Sequence, residues 1–135
     1  MPHHVFTYGS LMFPAVWEKV VRGKYKSAPA EAEGHVRFAI RGETYPGMVR
    51  AHGQNVHGVV YFDVSAEDVA ALDAFEGAPY RRDTLQVRLA SGETVPADSY
   101  IYLDTARLAD TPWQPDAFQM QRFIDTYCQE KLGGG

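Results

Sequence analysis

One cysteine, Cys128, stands in a chain of 135 residues, which rules out an internal disulfide and fits a reducing compartment. No apolar run approaches the roughly 20 residues that cross a bilayer, so a membrane span is not expected. The N-terminal stretch lacks the apolar core of a secretory signal, and a cytoplasmic location is the expectation. Positive charge is scarce: 13 Lys and Arg against 17 Asp and Glu leave a formal net charge of -4. The densest basic group, Arg81 and Arg82 with Arg88 further on, is too sparse to track a phosphate backbone. Nucleic acid is therefore not an expected partner. The histidines at 3, 4, 35, 52 and 57 share no ligand spacing on one element, so neither a metal nor a cofactor is expected. Tyr8-Gly9-Ser10-Leu11-Met12 lacks the second glycine of a nucleophile elbow, which argues against a serine hydrolase. A phosphate loop is also missing, since no Lys-[Ser/Thr] follows Gly9. Repeats and low-complexity segments are absent, and nothing specifies an oligomeric state.

What is present suits one domain, residues 1–132, with Gly133-Gly134-Gly135 as a disordered tail. Val5–Thr7 reads as a short strand and Pro14–Val21 as a helix with proline in its first turn. A loop is expected over Gly23–Ala30. Val36–Ile40 alternates as a half-buried strand, and Tyr45–Val49 reads as an edge strand, an irregular strand start or a bulge, because Pro46 cannot donate to a ladder. Val56–Val64 is apolar at nearly every residue, the mark of a strand buried on both faces, with Gly58 signalling a bend or a close approach. Ser65 caps a helix carrying Val69, Leu72 and Phe75 on its apolar face and ending at Gly77 in a left-handed cap. Leu85–Leu89 and Val95–Leu103 form a hairpin around Ser91-Gly92-Glu93. Thr105–Asp116 reads as a loop. A last helix is expected from about Pro115 to Lys131, with Ala117, Met120, Phe123, Ile124, Tyr127 and Cys128 on one stripe. The order predicts an α+β fold with a mixed, mostly antiparallel sheet, and so many strands in so short a chain favour a closed barrel.

Two stretches could carry chemistry. Val5-Phe6-Thr7-Tyr8-Gly9-Ser10-Leu11-Met12 joins a strand to a helix start, and such turns leave amides free to hold a carboxylate or phosphate. Gly9 could equally serve only a tight bend. In Leu72-Asp73-Ala74-Phe75-Glu76-Gly77-Ala78-Pro79-Tyr80-Arg81-Arg82, Glu76 lies where the helix dipole opposes a negative charge. Asp73 adds a like charge, and burial behind Phe75 and Tyr80 would raise the Glu76 pKa further, toward that of a general acid–base group. The alternative is a solvated glutamate at a fraying helix end, paired with Arg81 or Arg82.

Taken together, Tyr8-Gly9-Ser10-Leu11 and Leu72-Asp73-x-Phe75-Glu76-Gly77-x-x-Tyr80-x-Arg82 resemble the γ-glutamylcyclotransferase-like family, in its AIG2-like branch. Arg37–Gly42, Tyr45-Pro46, Ser99–Tyr102 and Trp113 fit the same pattern, and the resemblance covers Val5 to about Tyr127. It implies a barrel whose glycine loop and glutamate meet at one cavity and, as partner, a small γ-glutamyl substrate. The amides of Gly9, Ser10 and Leu11 would bind the α-carboxylate, Tyr8 would line the pocket and Glu76 would be catalytic. Tyr45 and Tyr100 are candidate cavity residues, though packing accounts for either as well, and Arg82 is expected to anchor the segment after Glu76. The implied reaction is attack of the α-amine on the γ-carbonyl to release 5-oxoproline. The alternative is a non-catalytic domain of the same fold that binds a γ-glutamyl-like ligand. Cys128 is read as packing.

Overall fold

The structure, a computed structural model, describes residues 3–132. The tail expected over Gly133–Gly135 lies outside them. Strand β1 (His3–Thr7) leads through a one-turn 3-10 helix (Ser10–Met12) into α1 (Pro14–Val20). Strands β2 (Ser27–Ile40) and β3 (Pro46–Val64) form a long antiparallel pair. Helix α2 (Ala66–Glu76), β4 (Tyr80–Leu89), β5 (Thr94–Tyr102) and β6 (Leu108–Pro112) follow. A 3-10 turn at Pro115–Ala117 precedes the closing helical stretch, which is α3 (Met120–Phe123), a π segment (Ile124–Cys128) and α4 (Gln129–Leu132).

The strands run β3-β1-β5-β4-β2, and the β2–β3 pairing closes the ring into a five-stranded barrel with β6 added along β2. Only the β1–β5 contact is parallel; the other pairings are antiparallel. Closure leaves no free edge among those five strands. It also makes strand residues choose between two apolar environments. Phe6, Val60, Leu85, Val87, Ala97 and Ile101 fill the barrel, while Val5, Tyr61, Val64 and Tyr100 meet the helices through Trp17, Val69, Leu72, Phe75 and Phe123. This two-sided burial explains why Val56–Val64 reads as continuously apolar. Gly58 is the close approach expected of it, since a Cβ there would lie 2.1 Å from the Thr7 carbonyl oxygen on β1.

Several expectations are corrected. The loop placed at Gly23–Ala30 ends at Lys26, because β2 begins at Ser27. Pro29 hid the strand, yet it pairs with Val59 on one side only, since β4 joins β2 from Ala30 onward. Of the readings open for Tyr45–Val49, an edge strand, an irregular strand start or a bulge, the strand start is the one seen. From Pro46 it is the first part of a 19-residue β3, with Pro46 at its first position. Within Thr105–Asp116, expected to be a loop, Leu108–Pro112 forms β6 on the end of β2. The last helix starts at Met120 rather than Pro115. Its stripe is otherwise as read: Phe123 and Cys128 are buried, with Met120, Ile124 and Tyr127 packed against the same core.

Asp68 in the first turn of α2 holds the α1–β2 connection by accepting from the amides of Arg22 (3.0 Å) and Gly23 (2.9 Å) and from the Tyr25 hydroxyl. Ser65 caps the same turn through the Asp68 amide (3.2 Å). That fixes α2, and with it the residue at the helix's other end.

Candidate active site

Strand β1 delivers the first part of the site. Thr7 pairs with Val59, and the chain leaves the barrel just beyond that point. The Arg37 guanidinium on β2 donates to the Tyr8 carbonyl (2.6 Å) and to the His57 carbonyl (2.9 Å), which pins the start of the loop. A Cβ at Gly9 would sit 2.8 Å from the Pro46 ring, so glycine is what lets this loop pack on the start of β3. In the turn that follows, the Met12 amide donates to Gly9 (3.0 Å) and the Phe13 amide to Ser10 (3.2 Å). Among the described residues the turn gives no main-chain acceptor to the Ser10 and Leu11 amides, which come first in it.

Helix α2 delivers the second part. Val69, Leu72 and Phe75 are buried, and the phase of that face leaves Glu76 as the last helical residue, turned to the cavity. Gly77 then reverses the chain at φ +78°, ψ -169°. The positive φ is as expected of a terminating glycine. The ψ is extended rather than left-handed helical, so the chain leaves at once toward Tyr80.

Between the two lies a narrow, partly open pocket with a cavity volume of about 20 Å³. It brings together Tyr8, Gly9, Ser10, Leu11, Tyr45, Tyr100 and Glu76, all the site candidates of the sequence. Thr7, Tyr80, Phe123 and Tyr127 complete its polar and aromatic lining. Sequence reasoning placed Phe123 and Tyr127 on a packing stripe; their four-residue spacing says they share a helix face, but not that a cavity lies beneath it.

Glu76 keeps partial accessibility because it faces the cavity, while the protein closes around it on the other sides. Desolvation there pushes its pKa up to about 8, and Asp73 adds to the rise while Lys131 opposes it. Burial is the largest cause, and the like charge of Asp73 acts in the expected direction. The alternative of a glutamate paired with Arg81 or Arg82 does not hold. Arg81 binds Asp83 (2.9 Å), and Arg82 donates to Asp73 (2.9 Å) and to Asp98 (2.8 Å). Arg82 therefore anchors β4 to α2 and β5, as expected of it.

The tyrosine hydroxyls are held by main-chain carbonyls and carboxylates. Tyr8 donates to the Tyr100 carbonyl (2.6 Å), Tyr80 to the Pro46 carbonyl (2.9 Å) and Tyr100 to the Asp73 carboxylate (2.7 Å). Tyr45 donates to the Glu43 carboxylate. Tyr127 reaches the Phe75 carbonyl and lies 3.3 Å from that of Glu76, capping the end of α2. Burial pushes all five hydroxyls above the usual phenol range, so they stay protonated. Cys128 is buried in the core beside Phe123, and burial raises its thiol pKa, consistent with packing. Among the described residues no group of three or more His, Cys, Asp or Glu is arranged to hold a metal ion. No helix among them is long and apolar enough to cross a membrane.

Fold and site together define a small barrel protein with a cavity built around one half-buried carboxyl group, Glu76. The family model described as gamma-glutamyl cyclotransferase, AIG2-like, matches residues 5–117, and the chain belongs to that family. It is similar to Protein AIG2 C of Arabidopsis thaliana, 29% identical over 131 residues, which span 93% of this chain and 79% of the relative. AIG2-like protein D of the same plant is 33% identical over 102 residues, 74% of this chain and 67% of that one. Among solved structures, an Arabidopsis thaliana protein determined in solution superposes with a TM-score of 0.74 at 26% identity, covering 99% of this chain and 84% of that chain. A structure named gamma-glutamyl cyclotransferase has a TM-score of 0.70 at 17% identity, over 98% of this chain and 81% of that one, and shows the shared fold.

Proposed function

We propose that the cavity binds the γ-glutamyl end of a small amide or peptide and closes it to 5-oxoproline. The observation that carries this reading is Glu76, a carboxyl group with a pKa of about 8 facing the same cavity as the free amides of the 3-10 turn. The amides of Gly9, Ser10 and Leu11 hold the substrate α-carboxylate. Tyr8, Tyr45 and Tyr100 line the pocket, and the α-ammonium lies toward Glu76 and the phenolic oxygens, whose lone pairs can accept from it. An ammonium beside Glu76 favours the ionised carboxylate, which then takes one ammonium proton. The freed amine attacks the γ-carbonyl. As the tetrahedral intermediate collapses, Glu76 returns the proton to the departing amine. Holding the amine against the carbonyl contributes through orientation, because the reaction is intramolecular and closes a five-membered ring.

The test is 5-oxoproline release from γ-glutamyl-alanine, γ-glutamyl-n-butylamine and glutathione, with Glu76→Gln alongside. Release by the wild type, lowered by about 10²-fold or more in the variant, is expected. An equally active variant, or a wild type that releases nothing from any of the three, would reject the proposal.

A further inference from the structure

The hydroxyl groups lining the cavity can be sorted by where their protons go. A phenol or alcohol bonded to a carbonyl or carboxylate oxygen must be the donor, so its one proton is spent there. Tyr8, Tyr80 and Tyr127 donate to main-chain carbonyls, and Tyr45 and Tyr100 to carboxylates. Thr7 donates to the Val59 carbonyl (2.8 Å). Toward a ligand, all six of these oxygens can only accept.

Ser10 is different. It lines the cavity, is 8% exposed, and its hydroxyl makes no hydrogen bond among the described residues. It is also not among the fully buried polar atoms left without a partner, so the hydroxyl oxygen itself retains some exposure, on a residue that lines the cavity. A cyclisation passes through a tetrahedral oxyanion, and a site full of acceptors repels such a charge unless a donor is aimed at it. With the main-chain amides of the turn engaged on the α-carboxylate and the Glu76 proton reserved for the leaving amine, the Ser10 hydroxyl is the remaining side-chain donor in the lining.

We propose that Ser10 is a catalytic residue whose hydroxyl donates to the γ-carbonyl oxygen and stabilises the oxyanion. This rests on the function proposed above. In the step concerned, the amine lone pair forms the new N–C bond and the carbonyl π pair moves onto oxygen. That oxygen accepts the Ser10 hydrogen bond. Collapse then re-forms the carbonyl and breaks the bond to the leaving amine, which takes its proton from Glu76, and the ring nitrogen gives its second proton to the carboxylate so formed, leaving the lactam N–H. Ser10 keeps its own proton throughout. It is a hydrogen-bond donor, not a nucleophile.

The experiment measures kcat and KM for 5-oxoproline release from γ-glutamyl-alanine and γ-glutamyl-n-butylamine in the wild type, Ser10→Ala and Ser10→Thr. Thermal melts of each variant and calorimetric binding of 5-oxoproline accompany the kinetics. Ser10→Ala is expected to lose about 10²- to 10³-fold in kcat with KM within a few-fold, the size seen on removing one oxyanion donor. Ser10→Thr, which keeps the hydroxyl, is expected to recover most of kcat. If Ser10→Ala does not fold, Ser10→Thr and Ser10→Val form a pair of equal shape, and only Val should be slow. An alanine variant with wild-type kcat overturns the inference, as does one in which KM alone rises, because the hydroxyl would then serve binding. In either case an active wild type leaves the proposed function standing. A wild type that releases no 5-oxoproline rejects both.

Discussion

A carboxyl group that is neutral at pH 7 until a cation arrives is an uncommon thing for a sequence to specify, and here three residues set it. Glu76 is desolvated, Asp73 one turn earlier pushes its pKa up, and Lys131 beside Gly77 pulls it down. Asp73 is itself held by the Tyr100 hydroxyl at 2.7 Å and by Arg82 at 2.9 Å, so its charge is fixed in place. Replacing it should therefore read out on Glu76. In Asp73→Asn the like charge is gone, the Glu76 carboxylate is easier to form, and the acid side of the kcat/KM profile is expected to move to lower pH. A limb that stays in place, or moves up, would mean Asp73 acts only through packing. Glu76 and Gly9 were legible as residues because each sits at a chain reversal with a physical signature. Phe123 and Tyr127 were not legible as lining, since an aromatic on an apolar stripe looks the same over a core and over a cavity.

The closing helical stretch is where sequence and structure part most at the level of elements. A continuous 3.6-residue stripe was expected from Pro115. Instead, Pro115–Ala117 is a separate 3-10 turn, and a π segment at Ile124–Cys128 interrupts the helix that follows. Such wide turns change the facing of the residues after them, and composition does not announce them. Here the segment places Tyr127 stacked on Phe123 at 5.1 Å, with its hydroxyl over the last carbonyls of α2. Helix ends carry unpaired carbonyls, and this one is capped by a side chain 51 residues away in sequence. Removing that cap in Tyr127→Phe is expected to cost about 1 kcal/mol in a denaturant melt. It should also lower kcat by loosening Glu76, a pairing that an unchanged melt with unchanged kcat would contradict. β6 and the start of β2 escaped the sequence for a simpler reason: one pairs only at the end of β2, and the other carries a proline.

For the molecule as a whole, the same glutamate makes stability depend on pH. Below about pH 4.5 Glu76 is protonated folded or unfolded, and it costs nothing. As pH rises from 4.5 toward 8 the unfolded chain ionises it while the folded chain does not, so stability falls across that window. The full difference is roughly 5 kcal/mol, reached near pH 8. Glu76→Gln lacks this group, so it is expected to melt above the wild type at pH 8 and to converge with it near pH 4.5; a pH-independent difference would contradict a buried, titrating Glu76. The barrel itself was readable from strand count and alternation, because closing the sheet is the way so short a chain removes its edges. The cavity was not, since it is made where β1, β3, α2 and the last helix meet, and those contacts are long-range. The most direct measurement is kcat/KM for 5-oxoproline release against pH in the free enzyme, which reports the ionisation of its essential base. The expected profile rises through neutral pH, reaches half its plateau near pH 8 and levels above that, and Glu76→Gln lacks the limb. A profile flat from pH 6 to 9, or a limb that survives in Glu76→Gln, would contradict the assignment of Glu76 as the group that moves the proton.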